Sequence, residues 1–316
     1  MLGLRLAKSL PLRKTGLGGI GTRVANLSSF EHPSFILKED TFIKEYGVRA
    51  LRYNHKVTGA DVLSIIAPED SNKVFSINFR TPVADSMGIP HILEHSVLCG
   101  SEKYPVKEPF VDLMKGSLNT FLNAFTYPDR TCYPVASMNT KDFYNLLDVY
   151  LDAVLHPRAL KDKQVLQQEG WHFEMEDSEL PLMLKGVVYN EMKGVYSSPD
   201  AGHYKLTQQA LYPDNSYKHD SGGDPLSIPN LTFDQFKAFH NAYYHPSNAK
   251  IFFYGDDDPI RRLDHIEGYL QHYGRSNTAK ESIVKSQPKQ DLSHMGVIKG
   301  RYPISPEGEE KHMVWE

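Results

Sequence analysis

The pentapeptide His91-Ile92-Leu93-Glu94-His95 constrains this chain more than any other feature of its sequence. On an α-helix, residues four apart lie on one face, so His91 and His95 can reach a single metal ion with Glu94 close to the same face. The order H-x-x-E-H is the inverse of the H-E-x-x-H zinc motif and brings the same groups, two ligands and a carboxylate base, around one ion. The motif therefore predicts a helix and requires a third ligand from elsewhere.

The residues around the motif argue against an exposed helix on which two histidines and an acid share a face by chance. Its apolar neighbours, among them Ile92 and Val97, indicate a largely packed helix. Buried imidazoles beside a carboxylate need partners, and a zinc ion would supply them. Glu191, in the apolar segment 186–194, is a candidate for the third ligand. From the residues alone three further acids remain rivals: Glu174, Glu176 and Glu179.

Strand and helix patterns alternate along the chain without the repeat that a βαβ fold requires. Residues 62–66 and 74–79 are typical of strands, and the turn-forming residues 68–72 predict that they form a hairpin. Helical patterns cover 90–99, 107–118, 140–155, 162–171, 183–196 and 232–243, and strand patterns cover 125–135 and 250–254. The sequence therefore predicts an α+β fold with one mixed β-sheet and helices packed mainly on one face.

Composition excludes two classes of partner. The chain has 35 Lys and Arg residues against 39 Asp and Glu residues, so we expect no nucleic-acid-binding surface. The mean hydropathy is −0.45, and no window approaches the run of about 18 apolar residues that a membrane span needs. We therefore expect neither nucleic acid nor a membrane among its partners.

The cysteines and the other histidines predict no second site. Two cysteines, Cys99 and Cys132, cannot build a disulfide framework and fit a reducing compartment. We interpret Cys99 as a small buried hydrophobe. We interpret six histidines, whose spacing converges on no metal, as surface or hydrogen-bonded residues: His156, His172, His203, His219, His240 and His245.

Residues 1–29 have the composition of an organelle transit peptide. They contain five basic residues and no acid, and the basic residues interrupt every apolar run that a secretory signal would need. A plain disordered tail would have no reason to exclude acids. The G-x-G-x-x-G at 16–21 follows no strand and opens no βαβ unit, so we do not interpret it as a nucleotide site.

Two further boundaries follow from composition. We expect an α+β domain over residues 31–275 and a linker, rich in Ser, Lys, Gln and Pro, from residue 276. Residues 311–316 are typical of the first part of a strand, which needs a partner for its backbone groups. We therefore interpret 276–316 as a linker and the start of a truncated second domain, and the chain as the N-terminal portion of a larger protein.

The zinc motif and three further segments resemble the presequence proteases, the organellar branch of the pitrilysin/insulysin clan. The segments are 91–105, 118–126, 190–194 and 221–225, within a resemblance that runs from about residue 31 to 256. In that family the Glu of the N-E-M-K-G segment is the third zinc ligand. The resemblance thus implies a pitrilysin-like metallopeptidase domain with one Zn²⁺ held by His91, His95 and Glu191, and with Glu94 as the general base.

The same resemblance implies a substrate and a compartment. It implies an endopeptidase that degrades cleaved presequences and other short unfolded peptides in the mitochondrial matrix or, as an alternative, in the plastid stroma. The peptide is expected to add to an edge strand, with Asn123 and Ala124 near its backbone and with Leu98 and Phe125 near a side-chain pocket.

Full-length members of that family are several times longer than this chain, and their distant C-terminal half contributes to substrate binding. The resemblance therefore implies a missing C-terminal half as a partner, and we expect the chain alone to be a weak peptidase. The alternative is a truncated, catalytically inactive member that serves as a binding or assembly module. The intact motif at 91–95 argues against that alternative.

Overall fold

The computed structural model describes residues 30–107, 109–290 and 296–300. The strands are β1 (Phe35–Ile43), β2 (Val48–His55), β3 (Asp61–Ile66), β4 (Lys73–Arg80), β5 (Asn119–Leu122), β6 (Phe125–Thr126), β7 (Arg130–Ser137), β8 (His172–Glu174), β9 (Met183–Lys185) and β10 (Ala249–Gly255). The helices are α1 (Ile89–Val97), α2 (Pro109–Gly116), α3 (Thr140–Leu155), α4 (Lys163–Glu169), α5 (Val187–Val195), α6 (Pro199–Leu211), α7 (Phe233–Tyr243), α8 (Pro259–Leu270) and α9 (Thr278–Glu281). The transit peptide predicted for 1–29 and the strand predicted for 311–316 lie outside the described residues.

Most strands form one mixed sheet with the order β1-β2-β3-β10-β4-β7-β5, and β6 also pairs with β7. Strand β10 lies between β3 and β4, parallel to the first and antiparallel to the second. The predicted hairpin of residues 62–66 and 74–79 is therefore wrong, although both strands form. Ile251 of β10 takes the central place because it pairs with Val62 on one side and Ile77 on the other, and all three are buried.

The sheet has one well-packed face. Along β10 the buried Ala249, Ile251 and Phe253 alternate with the less buried Lys250 and Phe252, the pattern of a strand with one face toward the core. Helix α3 packs on β4 and β7, and α1 packs on β6 and β7 as well as on α4 and α7. These layers confirm the predicted α+β fold with a mixed sheet. No helix in the described part of the chain has the length and apolar character that crossing a membrane requires.

The predicted helix over 183–196 is wrong at its start, because the structure has strand β9 and then helix α5 there. The break falls at Gly186, whose φ is +152°. A Cβ atom at this position would lie 2.1 Å from the carbonyl oxygen of Gly170, so only glycine allows the two backbones to meet. This contact places the first residue of α5 beside the end of α4, and both helices lead into the site.

Candidate metal centre and adjoining cavity

Helix α1 presents the motif as its sequence predicts. The helix begins at Ile89 with Pro90 in its first turn, and Gly88 precedes it with a φ of +68°. Ile92 and Leu93 are fully buried in the core. His91, Glu94 and His95 are half-buried on the other face of the helix, where they remain accessible to a ligand.

Three side chains from two helices converge beside α1. His91 Nε2 and His95 Nε2 lie 3.7 and 3.8 Å from Glu191 Oε2, which belongs to α5. One ligand atom of each residue lies within 4.8 Å of the other two, and the described residues contain no second group of this kind. The rivals Glu174 and Glu176 instead form ion pairs with Lys185, and Glu179 is also outside the group.

The donor set fits a zinc ion. His91 Nδ1 lies 2.9 Å from the carbonyl oxygen of Gly222, and because a carbonyl only accepts, Nδ1 carries the hydrogen and Nε2 is left with a free lone pair. Zinc bonds of about 2.0–2.2 Å to nitrogen and oxygen in a tetrahedron hold the ligand atoms about 3.3–3.6 Å apart. The separations of 3.7 and 3.8 Å are close to that value. Two imidazoles and one carboxylate also leave the fourth position open, as in catalytic zinc sites.

A further carboxylate, that of Glu169, contacts the Nδ1 side of the His95 ring. Glu169, the last residue of α4, is buried, and its Oε2 lies 3.4 Å from His95 Nδ1. Burial alone would raise the pKa of Glu169, but its contact with His95 outweighs this effect, and the pKa is lowered. Burial would lower the pKa of His95, but Glu169, Glu94 and Glu191 together raise it. Three acids around two imidazoles make this a site that favours a cation.

A cavity of about 430 Å³ adjoins the three-residue cluster. Glu94 and His95 form one wall, and the apolar part of the lining comes from Leu98, Phe110, Val111, Ala124 and Val187. Cys99, interpreted from the sequence as a small buried hydrophobe, is half-buried: it packs against the core and also lines the cavity, with Sγ 3.6 Å from Glu169 Oε1. The cavity offers apolar space directly beside the motif.

The four residues expected to bind the substrate divide into two groups. Leu98, Asn123 and Ala124 line the cavity, whereas Phe125 does not belong to its lining. The ring of Phe125 is 36% exposed and stacks on Phe121 at 6.3 Å. The edge strand expected at these residues is interrupted, since β5 ends at Leu122 and β6 begins at Phe125. Strand β5 lies at the end of the sheet order, so its second edge has no partner among the described strands.

Two contributors to the site, Glu169 and Gly222, are not predicted from the sequence. Glu169 ends a helix that shows no motif, and only its place as an acid after the apolar pair Val165 and Leu166 could have drawn attention to it. Gly222 belongs to the segment 221–225, whose resemblance to the presequence proteases implies no role for it beside the zinc motif. Its role needs the backbone, because the atom that contacts His91 is a carbonyl oxygen.

Comparisons with known proteins give two family models and several relatives. The family model described as insulinase (peptidase family M16) matches residues 83–192, which include the whole cluster, and the model described as peptidase M16 inactive domain matches residues 230–313. The chain is 58% identical over 277 residues to presequence protease 1, chloroplastic/mitochondrial, of Arabidopsis thaliana, covering 87% of this chain and 25% of the relative. It is 48% identical over 237 residues to the mitochondrial presequence protease of Danio rerio, covering 74% and 23%.

A bacterial relative and a solved structure extend the comparison. Protein HypA of Clostridium perfringens is 57% identical over 232 residues, which cover 73% of this chain and 24% of the relative. The crystal structure of pitrilysin has a TM-score of 0.60 at 16% identity, covering 77% of this chain and 25% of that one, and so shares the fold. The chain spans about a quarter of the length of the curated relatives it matches.

Proposed function

We propose that this chain, a member of the insulinase family of peptidases (family M16), is a zinc-dependent endopeptidase that acts on short unfolded peptides. The observation that carries the proposal is the convergence of His91, His95 and Glu191 within 4.8 Å, next to a cavity that Glu94 lines. A peptide bond in this cavity would lie close both to the open ligand position and to a carboxylate.

The residues of the site take distinct roles in this proposal. His91, His95 and Glu191 would hold the ion, and zinc, when bound, supplies a Lewis acid for the scissile carbonyl and lowers the pKa of a bound water. Glu94 accepts a proton from the attacking water and returns it to the leaving amine. The Gly222 carbonyl and the Glu169 carboxylate orient the two imidazoles from behind.

The free edge near the cavity supports a peptide substrate. An extended peptide that pairs with the edge of β5 satisfies its own backbone groups and makes few demands on its sequence. In this pose Asn123 and Ala124 lie near the peptide backbone, Leu98 contributes to the side-chain pocket, and Phe125 offers an exposed ring beside it. Two relatives are named presequence proteases, which supports cleaved presequences or transit peptides as the substrate class.

We further propose that the protein acts in the mitochondrial matrix, with the plastid stroma as the alternative. The names of the relatives from Arabidopsis thaliana and Danio rerio support an organelle, and so does the acid-free composition of residues 1–29. N-terminal sequencing of protein isolated from the organelle should then begin near Phe30. An intact Met1 in that material would contradict the proposal.

Two variants test the peptidase proposal. Metal analysis of the purified chain should give about one zinc per molecule, and the double variant His91→Ala/His95→Ala should lose it. Glu94→Gln should keep the zinc, because the amide has nearly the same shape, but cannot accept the proton. Cleavage of a presequence peptide, assayed with the C-terminal part of the Arabidopsis relative added, should fall by about 10²–10⁴-fold.

The second candidate function is a non-catalytic binding or assembly module. The match of residues 230–313 to the inactive-domain model favours it. The same assays separate the two, since a binding module would hold the peptide but cleave it no faster than the Glu94→Gln variant does. Zinc retained at full stoichiometry by His91→Ala/His95→Ala would place the metal elsewhere and contradict the proposed site.

A further inference from the structure

We propose that Asp220 is a positioning residue that links the two zinc-bearing helices through one loop, residues 220–224. Its carboxylate orders the turn that aims the Gly222 carbonyl at His91, and it also holds the end of α5, the helix that carries Glu191. The inference rests on the proposed function, because its readout is the binding of zinc by His91, His95 and Glu191.

The first link runs from Asp220 to His91. The backbone N–H of Gly222 donates to Asp220 Oδ1 at 2.8 Å, and the N–H of Gly223 donates to the Asp220 carbonyl at 3.2 Å. These two bonds define the turn in which the Gly222 carbonyl accepts from His91 Nδ1 at 2.9 Å. Without the carboxylate, the Gly222 N–H loses its acceptor and the carbonyl direction is less restricted.

The second link runs from Asp220 to Glu191. Tyr196 follows the last residue of α5, and its hydroxyl donates to Asp220 Oδ2 at 2.7 Å. Burial and the bond to Asp220 raise the pKa of Tyr196, so the phenol remains a donor throughout the neutral range. Met192, the neighbour of Glu191, packs on the same loop, with its Cε 3.2 Å from where a Gly222 Cβ would lie. The two oxygens of the Asp220 carboxylate thus accept from two parts of the chain: Oδ1 from Gly222 in the loop and Oδ2 from Tyr196 at the end of α5.

The loop is itself anchored to the start of α1. The Asp220 N–H donates to Ser86 Oγ at 3.1 Å, and the Asp224 N–H donates to the Ser86 carbonyl at 2.8 Å. A Cβ atom at Gly88 would lie 2.8 Å from Gly222 O, so the backbones touch. The loop contacts the start of α1 and is bonded through Asp220 to the residue after α5. The Asp220 bonds therefore help to set the distance between His91 on α1 and Glu191 on α5.

The test measures zinc affinity, since outer-shell partners of zinc ligands typically affect affinity by about 10–100-fold. Asp220→Ala removes both bonds, and we expect zinc binding about 10-fold weaker by chelator competition at fixed pH. Asp220→Asn keeps an acceptor for the Gly222 N–H, and its amide N–H₂ can donate to the Tyr196 hydroxyl, so its loss should be smaller than that of Asp220→Ala. The double variant Tyr196→Phe/Asp220→Ala should lose no more than Asp220→Ala alone, because Asp220→Ala already removes the bond to Tyr196.

A matched control comes from a second tyrosine–aspartate bond. Tyr254 donates to Asp70 Oδ2 at 3.0 Å at the far end of β10, and Tyr254→Phe should leave zinc affinity unchanged. The metal-free unfolding temperature of each variant separates affinity from folding, since a merely structural role would lower that temperature and leave the affinity of the folded chain intact. If Asp220→Ala fails to fold, Tyr196→Phe carries the test alone.

The outcomes are distinct. Wild-type zinc affinity in a folded Asp220→Ala or Tyr196→Phe variant overturns the role of Asp220 and leaves the proposed function standing. An equal loss in Tyr254→Phe also overturns it, because the effect would then not depend on the loop. A wild-type chain that binds no zinc overturns the proposed function and this inference with it.

Discussion

At the scale of single residues, histidines in this protein take opposite roles according to their partners. His95 is half-buried beside acids, which raise its pKa. His240, interpreted from the sequence as a surface or hydrogen-bonded residue, is buried and donates through Nε2 to the Val154 carbonyl at 2.9 Å. No acid faces it in that bond, and burial lowers its pKa to about 4. The first histidine is suited to a ligand site, and the second belongs to the core.

Burial of His240 predicts that the protein loses stability in mild acid. The unfolded histidine has a pKa of 6.5, so between pH 6.5 and about 4 the unfolded state binds more protons and the free energy of unfolding falls as the pH falls. The full effect of this group is about 3 kcal/mol. Urea unfolding of metal-free protein over this range should show a shallower pH dependence in His240→Gln.

The exposed His272 provides the control for this measurement. His272→Gln is the matched surface substitution, because its side chain is exposed and its replacement disturbs no packing in the core. A pH dependence in His240→Gln as steep as that of the wild type would show that His240 is not the titrating group.

At the scale of elements, the site depends on close approaches between backbones. Gly88 lets the start of α1 touch the 220–224 loop, and Gly186 lets the start of α5 touch the end of α4 at Gly170. Both glycines have a positive φ, at +68° and +152°. The sheet also contacts α1, which packs on β6 and β7. The candidate ligands His91, His95 and Glu191 thus lie on two helices whose first residues are positioned by glycine contacts.

Two glycines with the same backbone conformation test this dependence. Gly88 and Gly47 have φ values of +68° and +65°, but a Cβ at Gly47 would meet nothing within 4 Å. Both alanine variants carry the backbone strain, and only Gly88→Ala adds a collision with the backbone of residues 222 and 223. We expect Gly88→Ala to be less stable than Gly47→Ala by about 1–3 kcal/mol, measured from urea unfolding. Equal stabilities would show that the close approach at Gly88 is not required.

At the scale of the whole molecule, the site is open on one side. The side chain of Glu191 is half exposed, and the side chains of Phe121 in β5 and Phe125 in β6 are also exposed. The matched residues cover only about a quarter of the length of each curated relative. A closed site excludes water and strengthens the charge interactions within it, whereas the described residues leave the side chain of Glu191 half exposed.

This openness predicts that the chain alone cleaves peptides slowly while its metal site is complete. Addition of the remaining C-terminal part of the Arabidopsis relative should increase cleavage of a presequence peptide by about 10²-fold or more, the effect of supplying one oxyanion donor. The zinc content should be the same with and without the addition. A mixture made with the Glu94→Gln variant serves as the blank. Equal rates with and without the added part would contradict this prediction.

The local features of this protein were determined by its sequence. The helix at 91–95 with both histidines on one face, helix α3 at Thr140–Leu155 and the α+β class all follow from periodicity within a few turns of chain. Helix geometry alone places His91, Glu94 and His95 on the same side of α1. In the sequence only the resemblance distinguishes Glu191 from its rivals, since no local pattern relates it to α1.

Only the tertiary structure decided which distant groups meet. Strand β10 enters between β3 and β4, the pattern at 183–196 divides at Gly186, and Glu169 and the Gly222 carbonyl stand behind the two imidazoles. Each of these depends on contacts between residues far apart in sequence, and hydrophobic periodicity carries no information about such contacts. The ligand types are therefore a property of the sequence, whereas their separation and orientation are properties of the packed fold.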